Sequence, residues 1–292
     1  MTPSAPKDAT RFTWQGSPEP QMVQAFQQEG YLLIEDFASA GECDALMTQT
    51  KNLIDDFNAD DHKVVFSASG QSHAASDYFM NSASNISFFL EKGAVDETGE
   101  LVLPKQQAIN KIGHALHDLD PVFAPFSHQP KIESLARAIG FEAPLLLQSM
   151  VICKQPHIGG EVNAHQDSTF LYTTPQSCVG FWLALEDATL ENGCMWGASG
   201  GHDGPLRGRF VRGENGMEMQ MLDDKPLPDC DVALPAKKGT LILLHGRFPH
   251  LSPENHSGKS RYAYALHMID GKADYASDNW LQRPDDMPLA GF

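Results

Sequence analysis

The chain has 292 residues, a formal net charge of −17 and an apolar fraction of 41%. The length suffices for a large hydrophobic core, and the negative charge argues against a nucleic-acid partner, because nothing suggests a basic footprint for phosphates. The sequence has no apolar stretch of the roughly 18–20 residues that span a bilayer, and its start lacks the pattern of a secretory signal. We therefore predict a cytoplasmic protein that does not bind membranes.

The composition changes after the first residues. Residues 1–18 are polar and rich in Pro and Ser, which predicts a flexible tail. Residues 19–292 contain neither a low-complexity linker nor an internal repeat, so we predict that they form a single domain. The five cysteines are widely separated and form no C-x-x-C pair, which favours a reducing compartment without a disulfide framework or a zinc knuckle.

The first half of the chain is predicted to be mixed, with several helices and one strand. A strand is expected over 31–34, and a capping box formed by Ser39 and Glu42 predicts the start of a long helix. Proline in a first turn and glycine after a last turn indicate where other helices begin and end. The remaining predicted helices cover residues 22–28, 104–118 and 130–139.

From residue 144 the pattern changes to short β-rich segments bounded by Pro, Gly, Asn or Asp. Helices followed by such strands predict a mostly β protein with flanking helices. We expect a double-stranded β-helix, a jelly-roll or cupin-like barrel, with an N-terminal helical layer. The predicted strands cover residues 145–154, 179–187, 239–245 and 261–269.

His165 and Asp167 are separated by one residue in a segment that reads as extended. Residues i and i+2 of such a segment project to the same face, so an imidazole and a carboxylate lie together. A further histidine from a distant strand would complete a two-histidine, one-carboxylate metal site with open coordination positions. A surface turn is the alternative interpretation of this short motif.

Two histidines qualify as the third ligand, His245 at the end of an apolar strand and His250 beyond it. Arg261 follows His250 by eleven residues and opens another strand, so a hairpin is expected to bring the two strands together. Alternation places Arg261, Ala263, Ala265 and His267 on one face. A buried guanidinium needs an anion, and its planar fork suits a carboxylate, which favours a dicarboxylate that also chelates the metal.

The motifs H-x-D, H-x-S and a following arginine resemble those of the phytanoyl-CoA dioxygenase family, closest to its domain-containing branch. The resemblance extends from about residue 20 to Trp280. Further segments that match this family are Phe26–Phe37, Ile109–His117, Gln148–Met150, Lys154–Gly160 and Leu185–Cys194.

The resemblance implies iron as the metal and selects His250 over His245. The implied iron ligands are His165, Asp167 and His250. Ser252 and Arg261 are implied to hold the distal carboxylate of 2-oxoglutarate. The remaining positions that line the co-substrate site in such proteins correspond here to Lys111, Met150, Gln166 and Trp182.

The function that the resemblance implies is Fe(II)- and 2-oxoglutarate-dependent oxidation by O2, with hydroxylation of a small organic molecule and release of succinate and CO2. Related halogenases lack a carboxylate at the position of Asp167, so hydroxylation is favoured. The alternatives are a catalytically silent sensor of 2-oxoglutarate or iron, a non-redox metal-dependent jelly-roll enzyme, and a zinc site. The negative charge argues against a CoA thioester substrate, and Phe170 and Tyr172 are candidates for the substrate pocket.

Overall fold

The computed structural model describes residues 8–58, 77–97, 100–214 and 216–292. Seven α-helices lie in this part of the chain. They are α1 (Pro20–Glu29), α2 (Ala40–Asp56), α3 (Asp77–Asn81), α4 (Lys105–Ala108), α5 (Leu116–Leu119), α6 (Phe123–Ser127) and α7 (Pro130–Ala138).

The ends of α1 and α2 follow from local sequence. Pro20 occupies the first turn of α1, where its missing N–H group costs nothing. The helix ends at Gly30, whose φ of 78° lies in the left-handed region that favours glycine. At the start of α2 the Ser39 N–H donates to Glu42 Oε2 at 2.7 Å, and the Glu42 N–H donates to Ser39 Oγ at 3.2 Å. The predicted capping box is therefore confirmed.

The described part of the chain contains sixteen strands. They are β1 (Arg11–Thr13), β2 (Tyr31–Glu35), β3 (Ile86–Leu90), β4 (Ile109–His114), β5 (Pro144–Lys154), β6 (Val162–His165), β7 (Thr173–Thr174), β8 (Val179–Ala184), β9 (Met195–Gly197), β10 (Gly208–Gly213), β11 (Gly216–Met221), β12 (Val232–Leu234), β13 (Leu241–His245), β14 (His250–Ser252), β15 (Arg261–Asp270) and β16 (Asp274–Tyr275).

Most of these strands belong to a large and a small sheet. The large sheet has eight strands in the order β1-β2-β13-β8-β15-β5-β4-β3, and the small sheet has four in the order β12-β9-β14-β6. Strands β10 and β11 form a separate hairpin, and β7 pairs with β16. In the described residues, the two main sheets are not joined by strand pairing into a closed barrel.

The large sheet is covered on both faces. Tyr264 and Leu266 of β15 belong to a hydrophobic cluster with residues of α1, α2 and α7. Ala263 and Ala265, which alternate with them, belong to a second cluster with residues of the small sheet. The predicted layout of an N-terminal helical layer on a β-structure is therefore observed, and the space between the sheets contains the candidate site.

The prediction of a helix over residues 104–118 is wrong for most of that segment. Only α4 and α5 at its two ends are helical, and Ile109–His114 form strand β4. This strand pairs with β3 and β5, and five of its six residues are buried. Because both faces are covered, the strand lacks the alternation of apolar and polar residues that marks a half-exposed strand.

The predicted hairpin between the strands ending at His245 and beginning at Arg261 is also absent. Strand β8 lies between β13 and β15 in the large sheet. The intervening chain enters the small sheet as β14 before it returns to the large sheet. His250 therefore lies in the small sheet and Arg261 in the large sheet.

The segment predicted as a flexible tail contains one ordered element. Arg11–Thr13 form β1, which pairs in parallel with β2. Arg11 also donates to Glu35 Oε1 at 3.1 Å and to the Pro235 carbonyl at 2.7 Å. Residues 1–7 lie outside the described part of the chain. Across the residues that are described, no helix has the length and apolar character required to cross a bilayer.

Candidate metal and co-substrate site

Strands β6 and β14 place two histidines beside each other in the small sheet. His165 is the register partner of His250, and Asp167 follows at the start of a short 3₁₀ turn. Asp167 Oδ1 lies 3.5 Å from His165 Nε2 and 3.7 Å from His250 Nε2. One ligand atom from each of the three residues lies within 4.8 Å of the others. The structure therefore brings together the three residues that were predicted to bind iron.

Backbone carbonyls orient both histidines. His165 Nδ1 lies 2.8 Å from the Asn163 carbonyl, and His250 Nδ1 lies 3.0 Å from the Phe248 carbonyl. A carbonyl oxygen only accepts, so the proton of each neutral ring is on Nδ1 and the lone pair of Nε2 is free. Both Nε2 atoms lie next to Asp167. The donor set and its orientation thus fit a divalent metal of the Fe(II) class.

Burial and mutual charge shift the pKa values of these groups in the metal-free protein. Burial lowers the pKa of His250 to about 4, and the nearby His165 acts in the same direction. Burial alone would raise the pKa of Asp167, but the surrounding histidines outweigh burial and hold that pKa well below its ordinary value. The carboxylate is therefore ionised, as a metal ligand must be.

His245, the alternative third ligand, lies apart from this cluster. Its ring packs 5.0 Å from that of His202, and its Nδ1 accepts a hydrogen bond from the Arg247 N–H at 3.1 Å. His245 is absent from the group of residues that can share a metal within the described chain. The geometry agrees with the choice of His250.

Arg261 lies at the start of β15 and is 1% exposed. Its Nη2 donates to Ser252 Oγ at 3.1 Å, and its guanidinium carbon lies 5.4 Å from the centre of the Trp182 ring. Among the described residues its Nε has no hydrogen-bond partner. Burial lowers the pKa of Arg261 to about 10, so it remains a cation at neutral pH. A buried cation with unused donors fits an anionic ligand.

The remaining predicted co-substrate residues lie around the same cavity, but not in equivalent roles. Lys111 is on β4, not on a helix, and burial lowers its pKa to about 7. Met150 lines the cavity from the neighbouring β5. Gln166 lines it too, although its amide donates to the Arg247 carbonyl at 2.8 Å and accepts from the Arg207 N–H at 3.0 Å. Gln166 therefore also holds two loops together.

The metal cluster and Arg261 open onto one cavity of about 540 Å³, a size typical of small-molecule sites. Met219 and Met221 of the β11 hairpin strand line it and are 49% and 65% exposed. Phe170 also lines the cavity, as predicted, whereas Tyr172 is not among its lining residues and instead lies 4.2 Å from the Arg209 guanidinium carbon.

Two polar residues of this cavity, His267 and Gln148, were not predicted to be functional. His267 Nε2 lies 3.3 Å from Asp167 Oδ2. Gly180 makes room for this contact, because a side-chain carbon there would lie 3.0 Å from the same oxygen. Gln148 lines the cavity on β5, opposite His267. The alternation that places His267 on the face of Arg261 is the signal that pointed towards it.

Comparisons with known proteins agree with this geometry. The family model for phytanoyl-CoA dioxygenase matches residues 26–263. The chain is 45% identical over 273 residues to a phytanoyl-CoA dioxygenase of Arabidopsis thaliana, covering 92% of this chain and 95% of the relative. It is 41% identical over 281 residues to phytanoyl-CoA dioxygenase domain-containing protein 1 of Mus musculus, covering 92% and 97%.

A solved structure supports the fold. The non-haem α-ketoglutarate-dependent carbocyclase SnoK from nogalamycin biosynthesis superposes with a TM-score of 0.62 at 18% identity, covering 93% of this chain and 96% of that one. The predicted jelly roll is thus confirmed, as two facing sheets. Iron, 2-oxoglutarate and O2 are the cofactor and co-substrates of this class of oxygenase. The chain therefore belongs to the phytanoyl-CoA dioxygenase family and is a 2-oxoglutarate-dependent non-haem iron oxygenase.

Proposed function

We propose that this protein hydroxylates a small organic molecule at the cavity between its two sheets. The observation that carries the proposal is the arrangement of two groups around one cavity. The donor atoms of His165, Asp167 and His250 converge on one side. On the opposite sheet lies Arg261, a buried cation with an unused donor. A dicarboxylate that binds the metal at one end and Arg261 at the other satisfies both.

The proposed site has a metal end and a carboxylate-binding end. His165, Asp167 and His250 hold Fe(II). Arg261 and Ser252 bind the distal carboxylate of 2-oxoglutarate. Ser252 Oγ accepts from Arg261 Nη2, which orients the guanidinium group, and donates to the Gly193 carbonyl, so its O–H turns to the carboxylate when the co-substrate binds. Four further residues line the same cavity and are proposed to line the co-substrate site: Lys111, Met150, Gln166 and Trp182.

The bound iron supplies the activation of O2 and the oxidative decarboxylation of 2-oxoglutarate. One oxygen atom of O2 enters succinate, the other enters the new hydroxyl group of the substrate, and CO2 leaves. The protein orients the two carboxylates of 2-oxoglutarate and keeps the reacting C–H bond in a cavity shielded from bulk water. Asp167 occupies a ligand position in this arrangement, which favours hydroxylation over halide transfer.

The first experiment needs no primary substrate. Metal-free protein is titrated anaerobically with Fe(II) and 2-oxoglutarate, and the visible charge-transfer band of the chelate is measured. We expect a band in the wild type, none in Asp167→Ala because the metal is lost, and a weaker one in Arg261→Ala because the co-substrate is not anchored.

His245→Gln is the matched control, because His245 lies outside the donor cluster and glutamine retains an acceptor for the Arg247 N–H. This variant should retain the full band. A folded wild-type protein that binds Fe(II) but gives no band would contradict the proposal. Metal analysis of the purified protein distinguishes iron from zinc. A band without succinate release in O2, under any substrate condition, would favour a sensor instead.

A further inference from the structure

The side-chain amide of Gln148 is buried and forms no hydrogen bond with the described residues. Strand β5 alternates, and its residues Gln148, Met150, Ile152 and Lys154 all line the cavity. Gln148 is 5% exposed, and its side chain forms no hydrogen bond with any described residue. Its amide atoms are not among the fully enclosed unpaired atoms of the described residues, so the amide faces the cavity. A ligand in the cavity is the natural partner.

Two other buried glutamines differ from Gln148, because their side-chain amides are hydrogen-bonded within the protein. The Gln155 amide donates to Tyr262 Oη at 2.9 Å and to the Gln106 carbonyl at 3.1 Å. The Gln166 amide bonds to the backbone of two loops. The side-chain amides of both glutamines are therefore hydrogen-bonded within the protein. Only the Gln148 amide, of these three, is left for a bound molecule.

The position of Gln148 separates it from the co-substrate anchor. Along the paired strands β15 and β5, Arg261 is the register partner of Lys154, and His267 is the partner of Gln148. The two pairs are six residue steps apart along the extended chain, about 20 Å at the usual rise per residue. Since His267 contacts Asp167, Gln148 is at the metal end of the sheet. 2-Oxoglutarate, extending from the metal to Arg261, leaves the side of Gln148 open.

Aromatic rings form part of the cavity wall, and the Phe170 ring lies 6.1 Å from the ring of His165 at the metal end. The rings of Phe79 and Trp280 are stacked with centres 4.5 Å apart, and those of Phe170 and Phe210 meet edge to face at 5.7 Å. All four line the cavity and pack in one hydrophobic cluster. Ring faces of this kind bind flat, apolar parts of a ligand. The amide of Gln148 offers both a donor and an acceptor, without charge.

We propose that Gln148 determines substrate specificity, and that the primary substrate is an uncharged, ring-bearing molecule that presents a carboxamide-type edge to it. The ring packs against the aromatic cluster, and the edge of the substrate donates one hydrogen bond to Gln148 and accepts another. This inference rests on the proposed function, because it assumes that the molecule bound at Gln148 is the one hydroxylated. The binding itself can be measured without turnover.

The probes are three ring compounds of one shape: benzamide, benzoate and acetophenone. Binding to the anaerobic Fe(II)–2-oxoglutarate protein is measured by ligand-observed NMR titration. Benzamide, which both donates and accepts, should bind about tenfold more tightly than either of the others, the difference expected from one lost hydrogen bond. Wild-type protein that shows no preference for benzamide would overturn the proposal.

Two variants assign that preference to Gln148. Gln148→Leu should bind the three compounds equally. Gln148→Glu should reverse the choice and prefer the cation benzamidine over benzamide, because the new carboxylate accepts from both of its N–H groups. Unchanged selectivity in both variants would mean that Gln148 only contacts water.

The chelate band is recorded in parallel for all three proteins. An intact band shows that the variants fold and retain the metal end. The NMR titration is repeated on metal-free protein without 2-oxoglutarate. Absence of the band in the wild type would contradict the proposed function, whereas absence of a preference for benzamide in both titrations would contradict the role of Gln148, so the two failures are distinguishable.

Discussion

The large and the small sheet differ in length and in burial, and they carry different parts of the site. Strand β15 has ten residues, of which nine are buried, whereas β6 has four residues and none of them is buried. The large sheet is packed on both faces, so the positions of Arg261 and Lys111 are determined by the core. The small sheet is short, and its histidines need backbone carbonyls to orient them. The anion-binding residue Arg261 is therefore positioned by core packing, whereas the two histidines of the metal site are positioned by local hydrogen bonds.

The largest expected effect tests whether the large sheet also supports the metal. His267 of β15 contacts Asp167, so His267→Leu should weaken Fe(II) binding about tenfold or more, the usual loss when the partner of a ligating carboxylate is removed. His267→Gln retains an N–H donor in the place of Nε2 and should restore most of the affinity. Anaerobic Fe(II) titration gives both values.

Gly180→Ala is the matched variant on the neighbouring strand. Its added carbon would lie 3.0 Å from Asp167 Oδ2 and 3.3 Å from His267 Nε2, which is tight enough to displace the contact. We expect weaker Fe(II) binding without loss of fold. Equal Fe(II) affinity in wild type, His267→Leu and Gly180→Ala would show that the small sheet holds the metal alone.

The second prediction concerns the protonation state of Lys111, which is buried in the large sheet. Burial lowers the pKa of Lys111 to about 7, so above that pH the free protein holds mostly neutral lysine. A bound dicarboxylate favours the charged form and raises this pKa. Binding of 2-oxoglutarate should therefore take up close to one proton at about pH 8, and affinity should fall as pH rises above about 7.

Calorimetry of 2-oxoglutarate binding in buffers of different ionisation enthalpy measures this proton uptake. Lys111→Met should abolish it and flatten the dependence of affinity on pH. Proton uptake that persists in Lys111→Met would assign it to another group and remove Lys111 from the co-substrate site.

The smallest expected effect lies outside the comparison, in the helical layer behind the large sheet. Burial acts to raise the pKa of Glu42, but hydrogen bonds from Lys131, Ser39 and Gln129 outweigh it and lower that pKa to about 2. Because the pKa is lowered in the folded state, the stabilisation is present above the unfolded value and is lost as pH falls. Glu42→Gln should destabilise the protein by about 1 kcal/mol at neutral pH.

Urea unfolding of both proteins at several pH values measures this difference. It should shrink between about pH 4.5 and about pH 2. Glu133→Gln is the control, since among the described residues Glu133 pairs only with the half-exposed Arg137 of the same helix, and the substitution should cost about 0.5 kcal/mol or less. Neither variant should alter the chelate band. A change in the band would couple the helical layer to the site.

Much of the site was predictable because several of its residues belong to short sequence motifs. The H-x-D spacing places His165 and Asp167 on one face whatever the surrounding fold. The sequence also predicted that Arg261 faces inward, since alternation with small residues is a local property of β15. Residue roles that depend on contacts between distant strands were less accessible. Lys111 was assigned to a helix because β4 is buried on both faces and shows no alternation.

Gln148 illustrates the limit most clearly. Its motif was visible in the sequence, but nothing local distinguishes a glutamine whose amide is used by the protein, such as Gln166, from one whose amide is not. That distinction depends on which backbone groups lie within about 3 Å in the folded chain. Sequence patterns report periodicity, whereas hydrogen-bond satisfaction is a property of the packed structure.

The sequence by itself therefore determined the kind of chemistry: a carboxylate and histidines for a metal, an arginine for an anion, and strands to carry them. Tertiary structure decided which histidine completes the cluster, because the crossing of the chain into β14 places His250 beside His165 and leaves His245 apart. It also decided that His267 contacts Asp167 and that the Gln148 side chain forms no hydrogen bond with the described residues. These outcomes depend on strand register between residues far apart in the chain, which no local pattern specifies.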